Sequence, residues 1–152
     1  MGLLALVMLL ALPALQNLLE GSLQREVRRI SSVIRLLRNE AVLTNSRFRL
    51  MFDLDKGAYR VEERNESGVY EQRDDPKELR PHRFPSSFDI KDLVLFGEVS
   101  RAEPEKVVPI IVDSSGYVDP FLLHFSNGDA EYTLRVTGFT GRIELVEGYV
   151  DQ

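Results

Sequence analysis

The sequence predicts an α+β protein in which one long amino-terminal helix precedes a series of short antiparallel strands. Two observations indicate this fold class. Apolar residues recur at helical spacing from Leu15 to Ala41, and after Asn45 the apolar period changes from about 3.6 residues to about 2. Turn sequences such as Asp55-Lys56-Gly57 and Asn127-Gly128 then separate the strand-like segments. This order is typical of a helix that covers one face of an antiparallel sheet.

The first fifteen residues, MGLLALVMLLALPAL, carry no charged side chain. As a helix they would be about 22 Å long, whereas the hydrocarbon core of a membrane is about 30 Å thick and needs about 20 residues. The run alone is therefore short for a membrane span. A secretory signal peptide is an alternative, but no basic residue precedes the run, and Pro13 interrupts the small-residue motif around it. Because the run continues into the amphipathic stripe, we expect one helix about 60 Å long, kinked at Pro13.

The amphipathic stripe consists of apolar residues three or four positions apart: Leu15, Leu19, Leu23, Val27, Ile30, Ile34, Leu37 and Ala41. Most intervening residues are charged, Glu26 among them, and should face solvent or a partner. The second half of the stripe is expected to pack on the domain that follows. The remaining chain is too small to cover the first half as well, so the apolar end should enter lipid or contact similar helices. We therefore divide the chain into residues 1–22, the apolar half of the helix that would enter lipid or contact similar helices, and residues 23–152, a head with helix 23–44 and strands within 46–150.

The strands are predicted from alternation of apolar and polar residues. In 47–54, Phe48, Leu50, Phe52 and Leu54 share one face. Seven further short strands are predicted at 58–63, 69–72, 90–96, 107–112, 121–125, 130–136 and 142–146. The segment 73–87 contains three prolines and is expected to be an irregular surface connection.

Two local features of the later strands carry specific expectations. Asn127-Gly128 predicts a two-residue type I′ turn, which needs positive φ at both central positions. His124 alternates with Leu123 and Phe125, so we expect its side chain to point outward into solvent.

Composition and motifs exclude several function classes. The net charge of −5 argues against a general nucleic-acid binder, and the absence of cysteine excludes thiol catalysis and disulfides. Asp53 and Asp55 resemble the start of a calcium loop, but Arg64 stands where the bidentate Glu belongs. Asp113 and Asp119 are assigned to turn formation. We expect no catalytic residue, no cofactor and no metal site.

Three segments resemble the type IV pilin-like proteins, within them the GspH/FimT group of minor pseudopilins and minor pilins. The apolar run resembles the second half of the hydrophobic pilin helix, with Pro13 where such helices are commonly kinked. Residues 36–42 followed by 49–53 resemble the group's helix end and first strand. Residues 113–146 are similar to its closing pattern, with a glycine turn at Gly116 and Thr140-Gly141-Arg142 before the last strand.

The resemblance implies a pilin-like fold, a single-pass location in the bacterial inner membrane and a head in the periplasm. It implies assembly with other pseudopilins or pilins at an inner-membrane assembly platform, with no nucleic acid expected as a partner. The residues of the membrane and filament core would be Leu3, Leu4, Leu6, Val7, Leu9, Leu10, Leu12, Pro13 and Leu15. Leu19, Leu23 and Val27 would contact partner helices. Group members begin with a basic leader, a Gly-Phe cleavage site and a Glu a few residues into the mature helix. About ten residues of this kind before Met1 would lengthen the apolar run to about 25 residues, which is enough to span a bilayer.

Three functions remain open from the sequence. The first is a minor pseudopilin of a type II secretion system, near the tip of a filament that drives export of folded proteins. The second is a minor pilin of a type IV pilus. The third, from a different class, is an exported soluble β-rich binding protein.

Overall fold

The computed structural model describes the backbone of residues 2–151 and the side chains of residues 20–151. One helix, α1 (Gly2–Thr44), precedes ten strands within this part of the chain. The strands are β1 (Phe48–Asp53), β2 (Ala58–Arg64), β3 (Tyr70–Arg73), β4 (His82–Arg83), β5 (Phe88–Leu95), β6 (Glu98–Arg101), β7 (Val107–Val112), β8 (Phe121–Asn127), β9 (Ala130–Val136) and β10 (Ile143–Glu147). A short 3-10 helix, Lys77–Leu79, lies between β3 and β4. The predicted α+β order is confirmed.

The strands form two antiparallel sheets. Sheet A has the order β3-β2-β1-β7, with β4 also paired to β2. Sheet B has the order β10-β9-β8-β5-β6. In sheet A, Leu50 of β1 stands opposite Val61 on one side and Ile110 on the other, so the apolar alternation of three strands lies in one register.

One apolar core joins the helix and both sheets. From α1 it takes Ile30, Ile34, Leu37 and Ala41, each no more than 1% exposed. The ring of Phe52 in sheet A lies 5.6 Å, centroid to centroid, from the ring of Phe121 in sheet B. The predicted stripe is therefore buried over its second half, because both sheets turn their apolar faces towards it.

The chain differs from the predicted strand pattern at three places. The two additional strands, β4 and β6, lie in the segments 73–87 and 97–106, which showed no alternation. The β8–β9 turn has Gly128 and Asp129 at its centre, since Asn127 pairs with Ala130. Only Gly128 of these has positive φ, at 65°, so the turn matches type II′ and the predicted type I′ turn is wrong.

No helix within the described residues is both long enough and apolar enough to cross a membrane.

Candidate assembly surface

The carboxyl end of α1 is fastened to two loops by Arg38. Its Nε donates a hydrogen bond to the carbonyl oxygen of Gly116 at 2.8 Å, and its Nη2 donates to that of Phe139 at 2.9 Å. A third bond runs from Nη1 to the carbonyl oxygen of Thr140. Gly116 lies in the β7–β8 loop and the other two in the β9–β10 loop. We call this arrangement the Arg38 clasp, and it joins the carboxyl end of the helix to both loops.

Glycine makes room for the clasp in the β9–β10 loop. Gly141 has φ of +61°, and a Cβ there would lie 2.6 Å from Cδ of Arg38. Gly116 has φ of +82°, and its Cβ would lie 3.1 Å from Cγ2 of Val42. Both positions therefore need glycine for backbone conformation and for close approach of the helix.

An apolar surface surrounds the clasp. Phe139 is 88% exposed, and its ring meets that of Tyr117 edge-on at 5.3 Å. Val42 and Leu43, in the last turn of α1, are also largely exposed. Large apolar side chains grouped on a surface are characteristic of protein contacts, so this end of the head is a candidate contact surface.

A second attachment fixes the helix further towards its amino end. Nε2 of His82 lies 2.6 Å from Oε2 of Glu26. Glu26, predicted on the exposed side of the helix, is only 8% exposed. The exposed placement is wrong because the 73–87 segment folds against α1 and brings His82 to it.

Aromatic rings extend from this pair along the gap between α1 and sheet B. His82 contacts the rings of Tyr59 and Phe84, Phe84 stacks on Phe88, and Phe88 stacks on Phe125 at 5.2 Å. A cleft beside them is lined by Glu26 and otherwise by apolar side chains of α1, of sheet B and of Phe84. It offers no pair of polar groups with which to bind a reacting molecule.

Tyr59 is buried beneath the same helix segment. Its hydroxyl has no hydrogen-bond partner among the described residues. Burial raises the pKa of the Tyr59 phenol above its usual range, with a smaller opposing effect from Arg29 and a smaller raising effect from Glu26. The phenol is therefore held in its neutral form.

His124 lies in the interior, contrary to the expected solvent exposure. Its Nδ1 lies 2.5 Å from Oδ1 of Asp92, its Nε2 donates to the carbonyl oxygen of Val150 at 2.8 Å, and its ring stacks on Tyr149 at 3.7 Å. Tyr149 also donates to Oδ2 of Asp92 at 3.0 Å. The alternation placed His124 on the outer face of sheet B correctly, but the carboxyl-terminal segment covers that face and leaves His124 1% exposed.

A strand irregularity aligns this network. The β5–β8 register shifts between Ile90 and Asp92, so that Asp92 pairs directly with His124. Such a bulge turns the following side chain to the opposite face. Both nitrogens of His124 are occupied and the ring is covered, so the His–Asp pair holds the carboxyl-terminal segment and has no access to a substrate.

A group of basic side chains lies where the 73–87 segment packs on the middle of α1. Arg25, Arg28 and Arg29 of α1 line a surface depression with Lys77 and Arg80 of the 73–87 segment. We call these five residues the basic patch. All five are exposed, and among the described side chains none of them forms an ion pair with a carboxylate. The sequence placed the three arginines on the polar side of the helix but did not reveal Lys77 and Arg80 as their neighbours.

The aspartates considered as cation ligands bind backbone amides instead. Oδ1 of Asp113 accepts from the amide of Ser115 at 2.8 Å, and Oδ2 of Asp119 accepts from the amide of Ile111 at 3.0 Å. The Ser115 hydroxyl bond lowers the pKa of Asp113 below its ordinary value. Oδ1 of Asp53 accepts from the amide of Lys56 at 3.0 Å. No group of three potential metal ligands occurs within the described residues.

Most sequence-predicted site residues lie outside the side chains that the structure describes. These are the membrane and filament-core residues Leu3, Leu4, Leu6, Val7, Leu9, Leu10, Leu12, Pro13 and Leu15, together with Leu19. Leu23 is 4% exposed and Val27 packs half-buried against the core. Both face the chain's own head, so only the exposed flank of Val27 offers area to a partner helix.

Comparison with known proteins places this architecture. No family profile matches the sequence, and no curated protein matches it. Two solved structures of one protein, the minor pseudopilin EpsH from the type II secretion system of Vibrio cholerae, are similar to the structure of this chain. One is 18% identical and covers 82% of this chain and 95% of that chain, and the other is 19% identical and covers 86% and 97%; both have a TM-score of 0.66. The resemblance inferred from sequence is thus confirmed in the fold: the chain has the pilin-like fold of the minor pseudopilin EpsH.

Proposed function

We propose that the chain is a minor pseudopilin of a type II secretion system. In this role it assembles with other pseudopilins near the tip of a periplasmic filament that drives export of folded proteins. The observation that carries the proposal is the likeness to EpsH, which extends over almost the whole of that chain. The order of helix end, glycine turn and Thr-Gly-Arg loop supports it, since the Arg38 clasp joins these three segments.

The proposed location is the inner membrane, with the head in the periplasm. Leu3 to Leu15 would lie in the bilayer before assembly and in the filament core afterwards. Leu19 and the exposed flank of Val27 would lie nearest the partner helices, whereas Leu23 is buried against the chain's own head. An apolar helix in a bilayer is already surrounded by apolar lipid. Burial of apolar surface against other helices therefore gives no net driving force to move the helix out of the membrane. Neighbouring subunit helices would supply the replacement packing, and an inner-membrane assembly platform would supply the site of transfer.

The proposed role is structural and not catalytic. Both histidines are held by carboxylates, Glu26 and Asp92, and both contact tyrosine rings. Among the described residues neither forms a hydrogen bond with a serine or threonine hydroxyl, so neither forms the nucleophile–base pair that covalent hydrolysis needs.

Deletion of the gene in the source bacterium tests the proposal. We expect substrates of type II secretion to accumulate in the periplasm while surface pili remain normal, and plasmid-borne wild-type protein to restore export. Loss of pili with normal secretion would instead identify a minor pilin of a type IV pilus. A native amino terminus after Ala14, found by mass spectrometry, would identify an exported soluble protein and exclude a filament subunit.

A further inference from the structure

The basic patch concentrates positive charge in an acidic protein. It holds five of the 19 lysine and arginine residues of a chain whose net charge is −5. Glu78 is the one acidic side chain that lines the same depression. The rest of the chain is therefore more strongly acidic than the whole, and the patch is a local concentration of positive charge.

The 73–87 segment builds half of this patch by packing on the helix. Leu79 is fully buried and anchors the 3-10 helix, which leaves Lys77 and Arg80 exposed on either side of it. Nε of Arg80 donates to the carbonyl oxygen of Asp74 at 3.2 Å, which holds the segment in a defined position. The patch is thus a built surface, with cations from two separate parts of the sequence.

The patch lies a short distance above the apolar segment. Glu20 is the first charged residue of the chain, so the hydrocarbon layer must end before it. Arg25 follows Leu19 by six residues, which is about 9 Å along a helix. The headgroup layer of a bilayer is about 5–8 Å thick on each side. Long arginine side chains that point back along the helix span the remaining distance, as they do at membrane interfaces.

We infer that the basic patch binds the headgroups of phospholipids with a net negative charge around the helix while the subunit is in the membrane. This inference depends on the membrane location in the proposed function. Anionic lipid attracts the patch and repels the acidic remainder, so the head is held in one orientation against the bilayer. Assembly into a filament must break these contacts when the subunit leaves the membrane.

A reporter at the patch can measure the contact in the full chain. The sequence contains no cysteine, so Ser32→Cys introduces a single labelling site among the residues that line the depression. The labelled chain is reconstituted into vesicles of phosphatidylcholine alone or with phosphatidylglycerol, each containing a lipid with a quencher on its headgroup. We expect stronger quenching with phosphatidylglycerol, and we expect added salt to reduce the difference.

Neutralising the arginines should remove the difference between the two lipids. The triple variant Arg25→Gln, Arg28→Gln, Arg29→Gln should weaken the headgroup association by about fivefold for each arginine at low salt. Quenching in phosphatidylglycerol vesicles should then fall to the phosphatidylcholine level.

A matched triple variant separates patch contact from overall charge. Arg47→Gln, Arg101→Gln and Arg142→Gln remove the same charge from exposed arginines outside the patch. This variant should retain the full effect of phosphatidylglycerol. Equal loss in both triple variants would overturn the inference, because it would show a response to net charge.

The outcomes also separate the inference from the proposed function. Flotation of the chain with both kinds of vesicle, combined with equal quenching in both, would overturn lipid binding and leave membrane anchoring intact. The patch would then serve an acidic protein partner. Failure of the chain to float with either kind of vesicle would overturn the membrane location and the inference with it.

Discussion

Arg38 reaches from the last turns of α1 to the carbonyl oxygen of Gly116 at 2.8 Å, across 78 residues of sequence. The same guanidinium donates to the carbonyl oxygens of Phe139 and Thr140. Guanidinium donors in a planar fork suit several acceptors at once, and lysine cannot reproduce this geometry. The head therefore holds the helix end by one side chain at two loops.

Replacing Arg38 with alanine should destabilise the head. Three backbone carbonyls lose a charged donor, and because the side chain is half-exposed we expect a loss of about 2 kcal/mol in the free energy of unfolding. Arg38→Lys should lie between alanine and wild type. Urea denaturation followed by tyrosine fluorescence measures this, since the chain has five tyrosines and no tryptophan. Arg35→Ala is the control, because Arg35 is exposed on the same helix; equal losses in both variants would contradict the clasp.

Gly141→Ala should be more destabilising than Gly57→Ala. The two glycines have nearly equal φ, +61° and +59°, so alanine meets the same backbone strain of about 1–2 kcal/mol at both. Only at Gly141 would the added Cβ displace Arg38, while Gly57 has open space around it. In the Arg38→Ala background the two substitutions should therefore become equal. Denaturation of the four variants gives this comparison, and an excess for Gly141→Ala that survives in that background would contradict it.

The sequence predicted the helix and those strands in which apolar residues recur at a regular local spacing. The stripe residues Ile30, Ile34 and Leu37 are buried, and β1 alternates in burial along its whole length. These features depend on neighbours three, four or two positions away, and such spacing is visible in the sequence.

The features that the sequence did not predict depend on contacts between distant segments. Glu26 is buried because His82 approaches from another part of the chain. His124 is buried because Tyr149 and Val150 cover it. Arg38 could be assigned to the helix end by resemblance. Its hydrogen-bond partners lie in distant loops, and no local pattern in the sequence shows that these loops approach the helix.

Tyr59→Phe should change the alkaline stability of the head. The folded phenol has a raised pKa because it is buried, whereas an unfolded phenol ionises near pH 10. Above about pH 10 the unfolded state loses the proton first, so wild-type stability should fall as pH rises towards the folded pKa. The phenylalanine variant should fall less steeply. At neutral pH it should be as stable as wild type or up to about 1 kcal/mol more stable, since its removed hydroxyl had no partner among the described residues.

Urea denaturation at a series of pH values measures both effects of Tyr59. Tyr132→Phe is the control, because Tyr132 is a half-buried tyrosine in sheet B whose ring also packs on an aromatic residue. A wild-type pH dependence in Tyr59→Phe would show that ionisation of this phenol does not limit alkaline stability.

Removal of residues 1–22 should leave a folded, monomeric head. The cut precedes Leu23, the first buried core residue of the helix, and keeps Glu26, Ile30 and Arg38 with their partners. Circular dichroism should show cooperative unfolding, and light scattering should show a monomer. Removal of residues 1–31 is the matched comparison: it takes away Glu26 and Ile30 and should unfold or aggregate. Aggregation of the fragment that begins at residue 23 would contradict the division of the chain at residue 22.

Leu9→Lys or Leu12→Lys should abolish assembly without unfolding the head. Under the proposed function these residues lie in the membrane and later in the filament core, where a central charge costs at least about 2.5 kcal/mol. The head has its own core from Leu23 onwards, so its denaturation curve should match wild type. Asn39→Lys adds the same charge to an exposed position of the same helix and should leave export unchanged. The three variants are compared by complementation of the gene deletion, measured as the fraction of exported protein outside the cell. Normal export by either leucine variant would show that the apolar segment does not lie in the filament core, and the reason to place this helix in a membrane would be lost.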